Sequence, residues 1–276
     1  MIKEIKFQIN NALCSPGFIS VCILMAVFSM VCFIISCITE YKTDIISVAP
    51  ANAQFFFNAF YNASYTRIFS VILPFAACAA YSDSYLSDYN GNRLPICLTR
   101  TKLSDYYFSK LIAVFFCGSF VILFPQVLNY ILCMIAFPME STNEYGLDLW
   151  QSTVYVEDVF VGGSYFLFKK LYIFSPYLYF IFYIIISGFA SGLIAVFAYQ
   201  LSYFIKNRIF VLSFMFVAMN LSDALFTSTK FDINGYIFGC SVGGQTYLYF
   251  ILTIAIYILL AALPTPFAIK RLKNCV

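Results

Sequence analysis

The residues of this sequence best suited to chemistry are a few acids beside long apolar runs. Asp83 and Asp223 each lie close to the end of such a run. Charges deep in a membrane usually mark an ion or proton pathway. Neither acid is near the centre of a run, so we interpret each as an interface residue in preference to an ion or proton site. The sequence therefore shows no convincing catalytic constellation.

The absence of histidine excludes several classes of enzyme. With no histidine in the chain, Ser-His proteases, His-ligated zinc hydrolases and histidine proton relays are ruled out. The GxxxxGK[ST] phosphate loop is missing as well, and so is the GxGD motif of intramembrane aspartyl proteases. We expect no catalytic residue, no metal ligand and no cofactor site, so that the chain is not itself an enzyme.

The ten cysteines fit packing better than redox chemistry. Most lie in or beside apolar runs, where cysteine behaves as a small apolar side chain. No CxxC pair occurs, and the positions do not suggest a disulfide framework.

Six long apolar runs account for most of the chain and must position any functional side chains. Of its 276 residues 62% are hydrophobic and only 11% are charged, against roughly 25% charged in soluble domains. The segment 18–38 alone contains 21 uncharged residues, and a helix needs about 20 to cross a bilayer. We predict an all-α polytopic membrane protein, a single domain over 1–276, with six transmembrane helices at about 17–38, 64–86, 110–137, 176–200, 209–226 and 247–267.

The N-terminal segment 1–16 is predicted to be an amphipathic helix lying on the membrane surface. Lys3 and Lys6 stand among apolar residues that recur at helical spacing, namely Ile2, Ile5, Ile9 and Leu13. The alternative is a frayed polar tail.

Glycines suggest two further features. Gly188 and Gly192 form a GxxxG spacing, which allows helices to approach closely, and we favour packing within the bundle over a dimer seam. The run before the last span is punctuated by glycine, so we predict a broken or re-entrant segment there, with an outer gate at Gly239, Gly243 and Gly244.

The charge distribution predicts the orientation of the chain. With both termini in the cytoplasm, the inner segments hold 11 of the 16 Lys and Arg residues and 4 of the 13 acids, which satisfies the positive-inside rule. The loop 138–170 is then external and acidic; it could gate or bind cations, but we expect a solvated cap. We predict a multi-pass plasma-membrane protein that contacts lipid, and the lack of a long basic run argues against nucleic acid.

The polar segment from Asp88 to Lys110 is the sharpest local signal. It includes Gly91, Arg93 and Arg100, and it resembles the loop between spans 2 and 3 of type-2 ABC exporter permeases. In that family an acid ends span 2, a glycine and a base follow, and a lysine opens span 3. Relatives usually have Glu at the position of Asp88. The start of the chain, through Ser15-Pro16-Gly17-Phe18, is similar to the family's connecting helix.

This resemblance implies the permease subunit of an ATP-driven exporter of amphipathic, lipid-like or peptide substrates. Segment 87–109 would be a cytoplasmic coupling loop. A separate ATPase subunit would carry ATP and Mg, and a second permease subunit, identical or a sister chain, would complete the pathway. The resemblance assigns the ATPase contacts to Asp88, Gly91, Arg93, Arg100, Lys102 and Asp105.

Other interpretations remain open. The bases of the coupling loop would also serve ordinary positive-inside anchoring. A stand-alone secondary carrier or channel, or a membrane scaffold or immunity protein that acts by binding, would share this topology. The long loop 138–170 departs from many relatives. The coupling interpretation predicts that charge reversal at Asp88, Arg93 and Arg100 uncouples ATPase binding without unfolding the bundle.

Overall fold

The protein is a bundle of helices. The computed structural model describes residues 2–43, 48–59, 61–139, 167–226, 233–238 and 247–273, and among them it contains helices and turns but no strand. Six helical stretches of the described chain are long and apolar enough to cross a membrane. The predicted all-α class and the six candidate spans are confirmed at that level.

The helices follow one another through short connections. In chain order they are α1 (Ile2–Leu13), α2 (Pro16–Thr39), α3 (Ala51–Gln54), α4 (Ala63–Tyr81), α5 (Ser84–Asn90), α6 (Leu94–Arg100), α7 (Leu103–Ala136), α8 (Lys169–Phe174), α9 (Pro176–Leu201), α10 (Arg208–Phe226), α11 (Ile233–Phe238), α12 (Tyr247–Ala262) and α13 (Thr265–Lys273). The candidate spans are α2, α4 with α5, α7, α9, α10, and α12 with α13.

Two spans begin with the same Ser-Pro signal. The Ser15 hydroxyl accepts a hydrogen bond from the Phe18 amide at 3.2 Å, and the Ser175 hydroxyl accepts one from the Leu178 amide at 3.4 Å. Proline follows as the first helical residue in both cases, where its missing N–H costs nothing. This capping explains why α2 and α9 begin within a residue of their predicted starts.

The third span begins earlier than predicted. The sequence places its start at about 110, whereas α7 begins at Leu103 and runs for 34 residues. At 1.5 Å per residue this is roughly 50 Å, longer than the ~30 Å hydrocarbon core. Its first turns are polar but pack against other helices, and Tyr106, Tyr107 and Ser109 are buried. Hydropathy alone misses such turns because neighbouring helices, not lipid, bury them.

The connections gather at two ends of the bundle. One end, here called the basic end, carries α1, α5, α6, the start of α7, the turn 202–207 and α13. The other end carries α3, α8 and α11. The bases of the four segments predicted to share one side of the membrane lie in these elements or directly beside them, Arg208 being the first residue of α10.

Helices α7 and α9 form the centre of the bundle. Helices α1, α2 and α4 pack on α7, α12 packs on α9, and α10 lies mainly against α4. Helices α4 and α7 contain Pro74 and Pro125 in their interiors. The Ser29 hydroxyl of α2 donates to the Pro125 carbonyl at 2.9 Å, which ties α2 to α7.

The first loop folds into the core at the end opposite the basic end. Phe55, Phe56 and Phe57 are buried there. Polar side chains satisfy the backbone of this irregular segment: the Phe56 amide donates to the Asn129 side chain at 3.1 Å, and the Asn62 amide group donates to the Phe55 carbonyl at 3.0 Å. A non-helical backbone between apolar helices needs such partners.

Candidate functional site

A buried ion pair joins the end of the second span to the third. Lys110 of α7 donates to the Asp88 carboxylate of α5 at 2.5 Å and to the Ser84 carbonyl at 2.9 Å. The Lys110 side chain is 2% exposed and that of Asp88 is 19% exposed. The Tyr106 hydroxyl donates to the same carboxylate oxygen at 2.8 Å. The pair therefore connects α5 to α7 through three polar contacts.

The surroundings of Lys110 make this pair more than a surface contact. An ammonium group has three donor hydrogens, and the bonds to Asp88 and Ser84 use two of them. The ammonium also lies 5.0 Å from the centre of the Tyr106 ring, within the range of a cation–π interaction. Because a buried charge is costly unless it is paired and hydrogen-bonded, Lys110 strongly favours the conformation in which Asp88 and α5 lie against α7.

A group of buried tyrosines extends this joint to α9. The rings of Tyr85 in α5 and Tyr203 after α9 stack with centres 3.9 Å apart. The hydroxyls of Tyr199 and Tyr203 lie 2.5 Å apart, and the Tyr107 ring of α7 is 5.8 Å from that of Tyr203. Burial raises the pKa of Tyr203 well above its ordinary value, so that its phenol stays neutral. The second, third and fourth spans are thus held together at the basic end.

A second, more exposed set of contacts ties the start of the fifth span to the same place. The Arg208 guanidinium lies 2.8 Å from the Asp83 carboxylate, with side chains 55% and 22% exposed respectively. The Lys206 ammonium donates to the Tyr89 hydroxyl at 2.9 Å. Asp83, predicted to be an interface residue, is therefore an ion-pair partner of α10.

Helix α6 projects from this joint as the exposed element. Leu94 is buried and anchors its first turn, whereas Ile96 is 58% exposed. Arg93 is exposed beside it. Asn92, before the helix, has a φ of 52°, a left-handed conformation that asparagine tolerates. The arrangement presents an apolar side chain next to a base on a short, well-anchored helix.

The predicted coupling residues separate into two groups in the structure. Gly91, Arg93 and Lys102 are exposed, and Arg100 is the last residue of α6. Asp105 lies in the first turn of α7 and is partly buried. Asp88, which was predicted to share the contact surface, pairs with Lys110 and is 19% exposed. This pair holds α5 against α7.

The N-terminal helix α1 packs on α7. Lys3 and Lys6 are exposed, while Gln8 and Ala12 are buried. Of the apolar stripe chosen from the sequence, Ile5 and Ile9 are half-buried, whereas Ile2 and Leu13 are exposed. The stripe is therefore only partly covered in the structure.

The GxxxG glycines lie where α7 and α9 approach most closely. A methyl group added at Gly188 would collide with Leu123, and one added at Gly192 would collide with Ser119 and Phe115. All these neighbours belong to α7 of the same chain. The predicted outer-gate residues Gly239, Gly243 and Gly244, and residues 140–166 of the acidic loop, lie outside the described residues.

Sequence reasoning missed the tyrosines of the joint and the exposed Ile96. Two weak signals in the sequence could have indicated these tyrosines. Tyr85 with Tyr89, and Tyr199 with Tyr203, are four residues apart, which places each pair on one face of a helix. Lys110 was recognised only as the residue that opens span 3. Its burial depends on α5 packing beside α7, which no local pattern shows.

The site contains no evident catalytic or metal centre among the described residues. In that part of the chain no group of three or more His, Cys, Asp or Glu side chains could hold a metal ion. Comparison with protein-family models, with curated proteins and with solved structures gave no match.

Proposed function

We propose that this chain is the membrane-spanning subunit of an ATP-driven exporter, with α5 and α6 as the attachment point for a separate ATPase subunit. ATP and Mg would be held by that subunit, and a second permease chain would complete the transport pathway. The basic end would then face the cytoplasm of a plasma-membrane protein. The resemblance of segment 88–110 to type-2 exporter loops motivates this proposal.

The single observation that carries the proposal is the buried Lys110–Asp88 pair. A subunit driven from outside needs a short lever that moves as one body with the spans. The ion pair and the stacked Tyr85 and Tyr203 rings connect α5 directly to α7 and α9. A displacement of α6 by a partner would therefore be passed to the two central helices of the bundle and not lost in a loose loop.

The exposed surface of α6 indicates the chemistry of the partner. Ile96 is apolar and 58% exposed, and Arg93 and Lys102 are exposed bases close to it in the chain. A complementary surface would be an apolar pocket with an acidic rim, because charged groups around an apolar contact set orientation and partner choice. ATP binding would drive transport only if the ATPase bound the two conformations of the permease unequally.

Co-purification tests this proposal. The full chain, tagged and extracted from its native membrane in mild detergent, should retain a protein that hydrolyses ATP. The variant Ile96→Glu with Arg93→Glu should lose that protein, because it removes the apolar contact and reverses the neighbouring charge. The matched control is Lys3→Glu with Lys6→Glu, which reverses two exposed bases of α1 at the same end and should retain it.

Two outcomes would overturn the proposal. One is that no ATP-hydrolysing protein co-purifies with the wild-type chain. The other is substrate transport by the purified chain alone in liposomes without ATP, which would favour a secondary carrier. Retention of the same ATPase by both double variants would not contradict the exporter function, but it would show that the ATPase does not bind at α6.

A further inference from the structure

Away from the basic end, the described helices border an open apolar cleft of about 480 Å³ between α9, α10 and α12. Its walls include Phe197 of α9, Met215 and Ala218 of α10, and Tyr257 of α12. Ligand sites in proteins commonly measure 300–1,000 Å³. Water would find few partners here, since a buried water needs two to four polar groups. The cleft suits a hydrocarbon chain.

A small polar cavity adjoins this cleft. It measures about 20 Å³ and is lined by Ser70 of α4 and by Asn220 and Asp223 of α10. Ile194 and Met219 line both spaces, so that the polar cavity lies next to the apolar one.

We propose that the cleft and the polar cavity together form a binding site for a lipophilic amine, with its hydrocarbon part between α9, α10 and α12 and its protonated nitrogen at Asp223. The sign of the charge selects the amine. A carboxylate repels fatty acids and other anions, and it attracts a cation. It has about four acceptor positions, so that a contact it already makes does not prevent it from accepting another.

The neighbouring groups support the same assignment. Asn220 donates to the Phe216 carbonyl at 2.8 Å, which orients its side-chain amide. Pro74 has no amide hydrogen. The Ser70 carbonyl, four residues earlier in α4, therefore receives no helical hydrogen bond from residue 74. Ser70 and Pro74 both line the polar cavity. Residues with oxygen acceptors on two helices, α4 and α10, thus line the cavity to which the nitrogen is assigned.

The site needs only this chain, and so its test does not depend on the exporter proposal. The purified full chain is placed in phosphatidylcholine nanodiscs without ATP or any ATPase. It is photolysed with three probes that carry the same mid-chain diazirine: hexadecylamine, hexadecanol and palmitate. Labelled peptides are then mapped by mass spectrometry. We expect the amine to label α9, α10 and α12 about tenfold more than palmitate does, which is the size expected for a charge-assisted contact.

Matched variants separate the two halves of the site. Asp223→Asn should reduce labelling by the amine to the level of the alcohol, whereas Glu40→Gln, which neutralises a carboxylate at the end of α2, should not. Ala218→Trp should fill the cleft and abolish labelling by all three probes. Val217→Trp, at the adjacent residue that is 58% exposed on the other face of α10, should leave labelling unchanged.

A measurement on the wild-type chain keeps the test decisive if a variant fails to fold. Unlabelled hexadecylamine should compete with the amine probe at lower concentration than palmitate does. Equal labelling by the three probes, no competition, or labelling spread evenly over all spans would overturn the site. It would also be overturned if the cleft took up no probe and cross-links between two copies of the chain mapped to α10 and α12.

Discussion

Helices α9 and α10 are both apolar candidate spans, but the fold uses them in opposite ways. In the most apolar 18-residue stretch of each helix, 61% of the residues are buried in α9, but only 11% are buried in α10. The difference follows from side-chain size. At its contact with α7, α9 carries Ser187, Gly188, Ser191 and Gly192, whereas α10 exposes Phe210 and other large side chains. Apolarity places a helix in a membrane, and small residues decide whether it lies in the centre of the bundle.

This contrast divides the bundle into a tight part and a sparse part. Between α7 and α9 the backbones are close, and the Ser191 hydroxyl donates to the Gly118 carbonyl at 3.2 Å. Around α10 the packing leaves the 480 Å³ cleft. Substitutions in the two parts should therefore reduce the stability of the protein by different amounts. Four substitutions follow, from the largest expected loss to the smallest.

The largest effect is expected at the buried ion pair. Lys110→Met leaves the Asp88 carboxylate without its cation, and breaking a buried pair in this way typically costs about 3–5 kcal/mol. The measurement is the free energy of unfolding of the purified protein in mixed micelles, by titration with a denaturing detergent.

Two control variants test this assignment. Arg208→Gln removes a cation that is 55% exposed, and should cost no more than about 1 kcal/mol. The double variant Lys110→Met with Asp88→Leu should recover much of the lost stability, because no unpaired charge remains. A Lys110→Met protein as stable as wild type would show that the pair does not hold α5.

A methyl group in the tight part should have the next largest effect. In Gly192→Ala the new carbon would collide with Ser119 and Phe115, and such overpacking costs about 1–3 kcal/mol. In Gly17→Ala, at the start of α2, the nearest atom is the Ala79 carbonyl oxygen at 3.5 Å, an ordinary contact. That control should be neutral or slightly stabilising. Equal melting temperatures for the two alanine variants would contradict the close approach of α7 and α9.

A smaller loss is expected for one hydrogen bond in the same seam. The Ser187 hydroxyl donates to the Gln126 side chain at 2.7 Å, and interhelical bonds of this kind contribute about 0.6 kcal/mol on average, up to 1.7. Ser187→Ala should show this loss, whereas Ser213→Ala, at an exposed position of α10, should not. Both are compared by the midpoint of detergent-induced unfolding. An unchanged midpoint for Ser187→Ala would show that this hydrogen bond does not stabilise the protein.

The smallest effect is expected on the outer face of α10. Val217 is 58% exposed, so that Val217→Ala should change the free energy of unfolding by less than about 0.5 kcal/mol. A loss above 1.5 kcal/mol would instead mean that a second chain covers this face, and size-exclusion chromatography with light scattering would show whether the variant dissociates.

The sequence by itself was sufficient for the class of fold and for the approximate position of each span. Long uncharged runs of about 20 residues favour helices, which satisfy their own backbone in lipid, and Ser15-Pro16 and Ser175-Pro176 mark two helix starts through local hydrogen bonds. The clustering of bases in four segments also anticipated which connections share one end. These features depend on neighbours in the chain, and therefore local chemistry is enough to predict them.

Tertiary structure alone decided what the polar residues do. Asp88 and Lys110 are 22 residues apart; in the sequence one appears as a charge of a polar loop and the other as the residue that opens the third span. They become a pair only because α5 packs beside the first turns of α7. The same holds for Asp223, whose position beside an apolar cleft depends on how α10 lies against α4 and α9. Burial and pairing are properties of packed helices, and a linear pattern of residue types does not contain them.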